Sequence, residues 1–245
     1  MAAIDDKLEQ ALRGVGVKPD ASASATEKKA YSEAISHRVA HAVAAEFRER
    51  GLTGTRPAPP GEFDSSGAER RMAGGIGAKK VDVTWATEES GLLLGISIKT
   101  INFRDRKTGN FQKNLTNRRG DMLFEGVTLH RRFPYAVLGG LLFLDRGAAS
   151  DGTAKRRSTF LNAHSRFRLF TGRDDPAGRE EQYERLYILL LEASPGAASV
   201  EAYRVGNPAD IVPMEEVIAE LVDLVALRNP DFYESDGGVL STATG

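Results

Sequence analysis

One stretch of the chain, residues 135–144, does most to restrict the folds open to it. The stretch reads YAVLGGLLFL and is apolar at both sets of alternating positions. A strand of this kind is buried on both faces, whereas a strand with one face in water alternates apolar and polar residues. The stretch is also too short to cross a bilayer, which needs about 20 apolar residues. It therefore predicts the central strand of a sheet that is covered on both sides.

The pattern around this strand predicts an α/β or α+β fold with a mixed central β-sheet flanked by helices. Apolar periodicity indicates helices over 4–12, 26–50, 115–131, 158–170 and 214–227, and strands over 80–86, 91–99, 135–144, 184–192 and 200–205. We expect an N-terminal helix and linker in 1–25, a single domain in 26–230 and a frayed polar tail in 231–245. Residues 52–77 are rich in Pro and Gly and are predicted to be irregular.

Composition excludes several classes of protein. The 245 residues contain no cysteine, which rules out a disulfide scaffold, thiolate metal sites and a cysteine nucleophile. The N-terminus is acidic and has no basic segment ahead of a long apolar stretch, so we expect no secretory signal and no membrane association. We expect a cytoplasmic protein.

Charge is unevenly distributed, although the net charge is only −1. Residues 99–132 hold nine Lys or Arg and three Asp or Glu, and residues 155–173 hold six Lys or Arg and no acid. Basic segments on an otherwise acidic chain are typical of a polyanion-binding face. Two basic helices that are merely solvated would give the same pattern.

The strands 80–86 and 91–99 form a predicted hairpin with one chemically distinct face. If Ala86 pairs with Gly91, then Asp82 lies opposite Gly95. Directly paired residues share a face, and the faces alternate along each strand. One face is then apolar throughout, with Val81, Val83, Trp85, Leu92, Leu94, Ile96 and Ile98. The other face carries Asp82, Thr84, Gly95, Ser97 and Lys99, so an acid and a lysine are expected side by side.

Val81-Asp82 on one strand and Ser97-Ile98-Lys99 on the next resemble the PD-(D/E)XK nuclease superfamily, which includes many type II restriction endonucleases. The resemblance covers roughly residues 30–145 in the order helix, hairpin, helix, strand. It implies a restriction-endonuclease-like core and Mg²⁺-dependent hydrolysis of phosphodiester bonds. Val81 stands where the family often has proline, Ser97 replaces the usual second carboxylate, and no first strand is evident before Val81.

Some restriction enzymes with a Ser-x-Lys motif take the missing acid from a later helix. Glu125 on the 115–131 helix would supply it here, with Asp121 one turn earlier on the same face. Glu46 is a second possibility, because a carboxylate on the apolar stripe of the 26–50 helix needs a partner, which a metal would provide. The choice between these acids stays open.

The resemblance suggests a role for each site residue. Asp82, the backbone carbonyl of Ile98 and a carboxylate from Glu125 or Glu46 would hold Mg²⁺, which prefers oxygen ligands. Lys99 would orient the attacking water or stabilise charge on phosphorus, next to Ser97. The alternative is a surface Asp–Lys pair on a hairpin, which contributes little to stability.

Basic and amide side chains follow the lysine closely and are candidates for contacts to double-stranded DNA. Lys and Arg would bind phosphates, while Asn and Arg can also hydrogen-bond to base edges. The candidates are Asn102, Arg104, Lys113, Asn114, Asn117, Arg118, Arg119, His130 and Arg131. For any single asparagine, capping of a turn is an equally simple role.

We therefore predict a Mg²⁺-dependent DNA endonuclease of restriction type, acting as a homodimer because two strands must be cut. The alternative is a nucleic-acid-binding or accessory protein with a degenerate nuclease fold, in which Ser97 marks the loss of a metal ligand. His37 and His41 have a spacing that permits zinc geometry, but no third ligand is evident nearby and zinc is not predicted.

Overall fold

The computed structural model describes residues 3–59 and 71–243. It contains five α-helices and ten β-strands within those ranges. The helices are α1 (Ile4–Arg13), α2 (Ala25–Glu49), α3 (Leu115–Arg132), α4 (Thr159–Phe167) and α5 (Met214–Arg228). The strands are β1 (Arg71–Ala73), β2 (Ala78–Lys80), β3 (Val83–Thr87), β4 (Gly91–Ile101), β5 (Val137–Asp145), β6 (Arg185–Glu192), β7 (Ser199–Arg204), β8 (Ile211–Val212), β9 (Tyr233–Asp236) and β10 (Val239–Thr242).

A six-stranded mixed sheet in the order β3-β4-β5-β6-β7-β8 forms the centre of the fold. Strands β4, β5 and β6 run parallel to one another, and the remaining neighbours are antiparallel. Strand β5 is buried along its length except at Asp145, as its apolar composition predicted. The predicted fold class, a mixed sheet flanked by helices, is confirmed.

Helices cover both faces of this sheet and create two apolar clusters. Helices α1, α2 and α5 pack on one face, which we call the first face. Helices α3 and α4 pack on the opposite, second face. Side chains alternate between the two faces along each strand, so neighbouring residues of β4 belong to different layers. This alternation decides which helix each site residue meets.

The β3–β4 hairpin is shifted by two residues from the predicted register, so most of its side chains still lie on the predicted faces. Thr84, rather than Asp82, lies opposite Gly95, and a bulge follows between Trp85 and Ala86. A shift of two residues leaves side chains on their predicted faces, while a bulge moves the residues beyond it to the other face. Leu92 accordingly packs in the second-face cluster, not with Val83 as predicted. Val81 also joins the second-face cluster, because it precedes the first paired residue of β3.

Both ends of the described chain pack on the main body, in contrast to the predicted appendages. Helix α1 buries Ile4, Leu8 and Leu12 completely in the first-face cluster. Strands β9 and β10 form a hairpin against α5, and Leu240 donates a backbone hydrogen bond to Arg50. The segment predicted as a frayed tail is therefore ordered through Thr242, because its apolar side chains complete the core beside α2 and α5.

The predicted irregular segment 52–77 lies partly outside the described residues. Its last part contains β1, which pairs with β2 just beyond the segment. Within residues 3–59 and 71–243, none of the helices has the length and apolar character needed to span a membrane.

Candidate active site

Three charged side chains from different elements meet at one edge of the sheet. Asp82 directly precedes β3, Lys99 lies on β4, and Glu125 lies on α3. The Lys99 Nζ is 3.4 Å from the Asp82 Oδ2 and 3.4 Å from the Glu125 Oε2. The structure thus brings together the acid and the lysine that the hairpin pattern predicted to be neighbours, and adds one of the proposed third residues.

The end of the β3–β4 ladder holds Asp82 in position. The pairing begins at Val83 and Ile96, so Ile98 lies beyond the end of β3. The Ile98 N–H donates a hydrogen bond to the Asp82 Oδ2 at 2.6 Å. The carboxylate therefore accepts the hydrogen bond that a backbone carbonyl of a longer β3 would have accepted. The N–H and the C=O of a strand residue point to the same side, so the Ile98 carbonyl also faces the Asp82 side of the sheet.

The alternation of β4 directs Lys99 toward α3. Ser97 and Lys99 share a face with Gly95, and a Cβ at Gly95 would contact Leu138, Val81 and Leu92 of the second-face cluster. Glu125 belongs to the buried side of α3, which covers this face, and is only 1% exposed. Glu125 is therefore the acid that the tertiary structure supplies to the lysine. Asp121, one turn earlier, is half exposed and lies 3.6 Å from Arg118.

Glu46 lies away from this cluster, which corrects its interpretation as a metal ligand. Its carboxylate accepts hydrogen bonds from the Lys7 Nζ at 2.5 Å and the Arg50 Nε at 2.7 Å. Arg50 also pairs with Glu215 on α5. A buried acid on an apolar stripe does require a partner, but here the partners are cations that join α1, α2 and α5.

Lys99 carries its charge in this site. Burial lowers the pKa of Lys99, but the carboxylates of Glu125 and Asp82 more than offset that effect and raise the pKa above its usual value. The ammonium group is therefore protonated at neutral pH. It is suited to stabilising negative charge rather than to accepting a proton.

Ser97 contributes a buried hydroxyl, not a carboxylate, beside the phenol of Tyr183. Tyr183 donates to the Met122 carbonyl at 3.1 Å. Burial, followed by the nearby Glu125 carboxylate, raises the pKa of Tyr183 well above its usual value, so the phenol remains neutral. The floor of the site thus adds no further negative charge.

The cluster opens into a cleft with a volume of about 1310 Å³. Its described lining includes eight Lys or Arg and five Asp or Glu, so the cleft is net positive. Its walls come mainly from the start of α2, the segment after β4 and α3, and its base comes from Asp82 and β4. A positive cleft with a charged cluster at its base suits an extended anionic ligand.

Four of the predicted DNA-contacting residues line this cleft, namely Arg104, Lys113, Asn114 and Arg118. Two of these make local bonds, since Lys113 contacts Asp105 at 2.8 Å and Arg104 donates to the Gly109 carbonyl at 3.0 Å. Asn117, Arg119 and Arg131 lie elsewhere on the described surface, with Arg131 paired to Glu180 near the far end of α3.

Asn102 and His130 are buried, which corrects their interpretation as DNA contacts. Asn102 is 3% exposed and donates to the Ser32 hydroxyl at 3.0 Å, so it fastens β4 to α2. His130 is 2% exposed, and its two ring nitrogens contact the Glu180 carbonyl and the Glu184 carboxylate. The Asn102 Nδ2 and both ring nitrogens of His130 are therefore used within the fold.

The second basic segment, 155–173, is not part of the described cleft lining. Arg173 is buried against Glu184 at 2.8 Å, and Arg166 donates to the Thr116 hydroxyl at 3.0 Å. The single basic face that composition suggested is therefore divided, and only the segment after β4 borders the cleft.

The start of α2 supplies cleft residues that sequence reasoning missed. Lys28, Lys29, Ser32, Glu33, Ser36 and His37 line the wall opposite α3. The adjacent lysines were a visible signal, but they lie about 70 residues before Lys99 and outside both basic segments. Arg106, in turn, donates to the carbonyls of Ala21 and Ser22 and ties the linker to the edge of the cleft.

The donor set at the base of the cleft fits a hard divalent cation. Two carboxylates, from Asp82 and Glu125, and the Ile98 carbonyl are oxygen donors, and Mg²⁺ in proteins commonly keeps several waters and uses one or two carboxylates. Within the described ranges, no group of three or more His, Cys, Asp or Glu is gathered for a metal. A bound ion would therefore depend on these two acids, the carbonyl and water.

Comparison of the chain with protein-family models, with curated proteins and with solved structures finds no match.

Proposed function

We propose that this protein is a Mg²⁺-dependent DNA endonuclease of restriction type. The observation that carries the proposal is the Lys99 ammonium, held 3.4 Å from both the Asp82 and the Glu125 carboxylates at the base of a positive cleft. Two acids and a lysine in contact are the groups needed to bind a metal and to stabilise a phosphorane-like charge. The resemblance of Val81-Asp82 and Ser97-Ile98-Lys99 to the PD-(D/E)XK superfamily supports the same proposed function.

Each residue has a defined task in this proposal. Asp82, Glu125 and the Ile98 carbonyl hold the ion, which would supply a water of lowered pKa and neutralise charge on the phosphate. Lys99, kept charged by the two acids, donates hydrogen bonds to the scissile phosphate and stabilises the charge that builds up on its oxygens. Ser97 and Tyr183 fill the floor beneath these groups and exclude water from that side.

The cleft would hold the substrate through its phosphates. Lys113 and Arg118 on one wall and Lys28 on the other can contact the backbone on both sides of the scissile bond. Asn114 is the amide in the lining that remains a candidate for contacts to base edges. A DNA substrate would also imply a cytoplasmic location.

The proposal is tested by incubating the purified protein with unmethylated plasmid and bacteriophage DNA, with Mg²⁺ or with EDTA. We expect discrete fragments with Mg²⁺ and none with EDTA. Lys99→Ala is expected to cut at least about 10²-fold more slowly, because a stabilising charge is removed from the transition state. Lys155→Ala, which removes an exposed lysine away from the described cleft, is the matched control. Cutting by a folded Lys99→Ala variant at the wild-type rate would refute the assignment.

A second candidate function is a nucleic-acid-binding or accessory protein that does not cut. Ser97 favours it, because a hydroxyl stands where the superfamily usually has a second carboxylate. The same experiment separates the two functions: a chelator-insensitive gel shift without fragments indicates binding alone. Neither fragments nor a gel shift would favour an accessory protein that needs partners.

We further propose that the active form is a homodimer, since two active sites related by a two-fold axis can cut both strands of a palindromic site. Light scattering on the protein with and without DNA tests this, and a molecular mass of one chain throughout would contradict it.

A further inference from the structure

A histidine pair on α2 has a geometry that the proposed nuclease chemistry does not use. His37 and His41 are one turn apart, and their Nε2 atoms face each other at 3.2 Å, with ring centroids 4.5 Å apart. His37 is exposed on the wall of the cleft, and His41 is partly exposed. Two ring nitrogens that converge at the surface can share either a proton or a metal ion.

The separation matches the spacing of two ligands on one metal. Imidazole nitrogens bind Zn²⁺ at about 2.0–2.1 Å, so two of them at tetrahedral positions are about 3.3–3.4 Å apart, and at right-angle positions about 2.8–3.0 Å apart. The observed 3.2 Å falls within these limits. We propose that His37 and His41 chelate a first-row transition metal ion such as Zn²⁺, Ni²⁺ or Cu²⁺, with water completing the coordination.

The protonation of His41 is compatible with this role. Burial lowers the pKa of His41, and the neighbouring His37 and Arg48 lower it further, so this ring is neutral at pH 7. Neutral imidazole is the form that binds metals. Among the described residues, no third His, Cys, Asp or Glu is grouped with the pair, which leaves the two imidazoles as the protein ligands.

The chemistry of the ligands separates this site from the one at the base of the cleft. Imidazole suits Zn²⁺, Cu²⁺ and Ni²⁺, whereas carboxylate, carbonyl and water suit Mg²⁺. The histidine site therefore stands whether or not the cleft cuts DNA. An ion there would add positive charge to one cleft wall.

The composition of the chain makes the test specific. There is no cysteine, and the other two of its four histidines, His130 and His164, are buried. Untagged protein is titrated with Cu²⁺ and followed by electron paramagnetic resonance, and with Zn²⁺ followed by calorimetry. With the base of the cleft saturated by Mg²⁺, we expect one transition metal ion per chain, nitrogen coupling from two imidazoles, and a further chelator-reversible rise in the melting temperature.

Substitutions then assign the ligands. His37→Ala and His41→Ala should each leave a single coupled nitrogen and a much weaker titration, and the double variant should lose both signals. These side chains are at or near the surface, and circular dichroism is used to check that each variant folds. His37→Gln and His41→Gln provide a second, more conservative pair. The proposal fails if wild-type protein binds no transition metal, or if the double variant binds it as the wild type does.

Discussion

Glu125 and Asp121 are one turn apart on α3, yet only Glu125 is buried against Lys99. Helical spacing puts both acids on the same side of α3, and spacing alone leaves the choice between them open. Packing decides it, because α3 turns Glu125 toward β4 while Asp121 stays at the cleft rim beside Arg118.

Substitution of each acid should therefore have a different effect on cleavage. Glu125→Gln removes a ligand charge and is expected to slow cutting by about 10²-fold or more, whereas Asp121→Asn should retain most of the activity. The measurement is the rate of plasmid cleavage under single-turnover conditions with saturating Mg²⁺. Equal losses in the two variants would show that the buried acid has no special role.

Glu184 shows how a single buried charge supports the fold. It is completely buried and accepts hydrogen bonds from Arg173, Arg228, His130 and the Leu138 N–H. Removing one member of a buried ionic group leaves its partners buried without a counter-charge, which costs about 3–5 kcal/mol. Glu184→Gln should lower the free energy of unfolding by about that amount, as measured in urea. Glu180→Gln breaks only the exposed pair with Arg131 and should cost about 0–1 kcal/mol.

The contribution of Glu184 should also depend on pH. Burial raises the pKa of Glu184, but His130, the Leu138 N–H and Arg173 more than offset this and lower the pKa below 4.5. A carboxyl group with a lowered folded-state pKa stabilises the protein above its unfolded pKa and loses that effect as pH falls through the folded value. The difference in stability between wild type and Glu184→Gln should be largest at neutral pH and shrink below about pH 4.5. A difference that grows toward acid would contradict this assignment.

At the scale of elements, the β9–β10 hairpin closes the first face of the sheet. Tyr233 packs edge-on against Trp85 at 5.2 Å, and Leu240 is buried beside α2 and α5. The polar residues around these two side chains made the segment look like a frayed end. The hairpin is ordered because it covers apolar surface that the helices leave open.

The hairpin supplies its own matched pair of substitutions. Leu240→Ala is expected to cost about 2 kcal/mol, at the low end for buried leucine, because a terminal hairpin can partly relax. Val239→Ala, at an exposed neighbouring position, should cost less than about 0.5 kcal/mol. Both are measured by urea denaturation, and equal values would mean that the hairpin does not dock in solution.

At the scale of the whole molecule, the walls of the cleft come from distant parts of the chain. Lys28 near the start of α2 shares the cleft lining with Lys113 from the segment after β4 and with Arg118 from α3. The net charge of the chain is −1, so the positive potential is local to this cleft. Binding through phosphates should therefore be strongly dependent on salt.

We expect the logarithm of the DNA association constant to fall with the logarithm of salt concentration with a slope of about −3 to −4, for roughly four phosphate contacts. Lys113→Ala should reduce the slope by about 1, while Lys155→Ala should leave it unchanged. Fluorescence anisotropy in EDTA measures this without cleavage. A slope near zero in wild-type protein would rule out the cleft as a phosphate-binding surface.

Local patterns in the sequence determined the buried strand β5, the helix α2 and the shared side of Asp82 and Lys99. Each of these depends on the spacing of apolar and polar residues along one element, and a period of two survives a register shift of two residues. The tertiary structure alone decided that Glu125 meets Lys99 while Glu46 meets Lys7 of α1, that Asn102 and His130 are interior, and that α2 forms a wall of the cleft. These outcomes depend on which helix covers which face of the sheet, and that is set by packing between residues far apart in the chain.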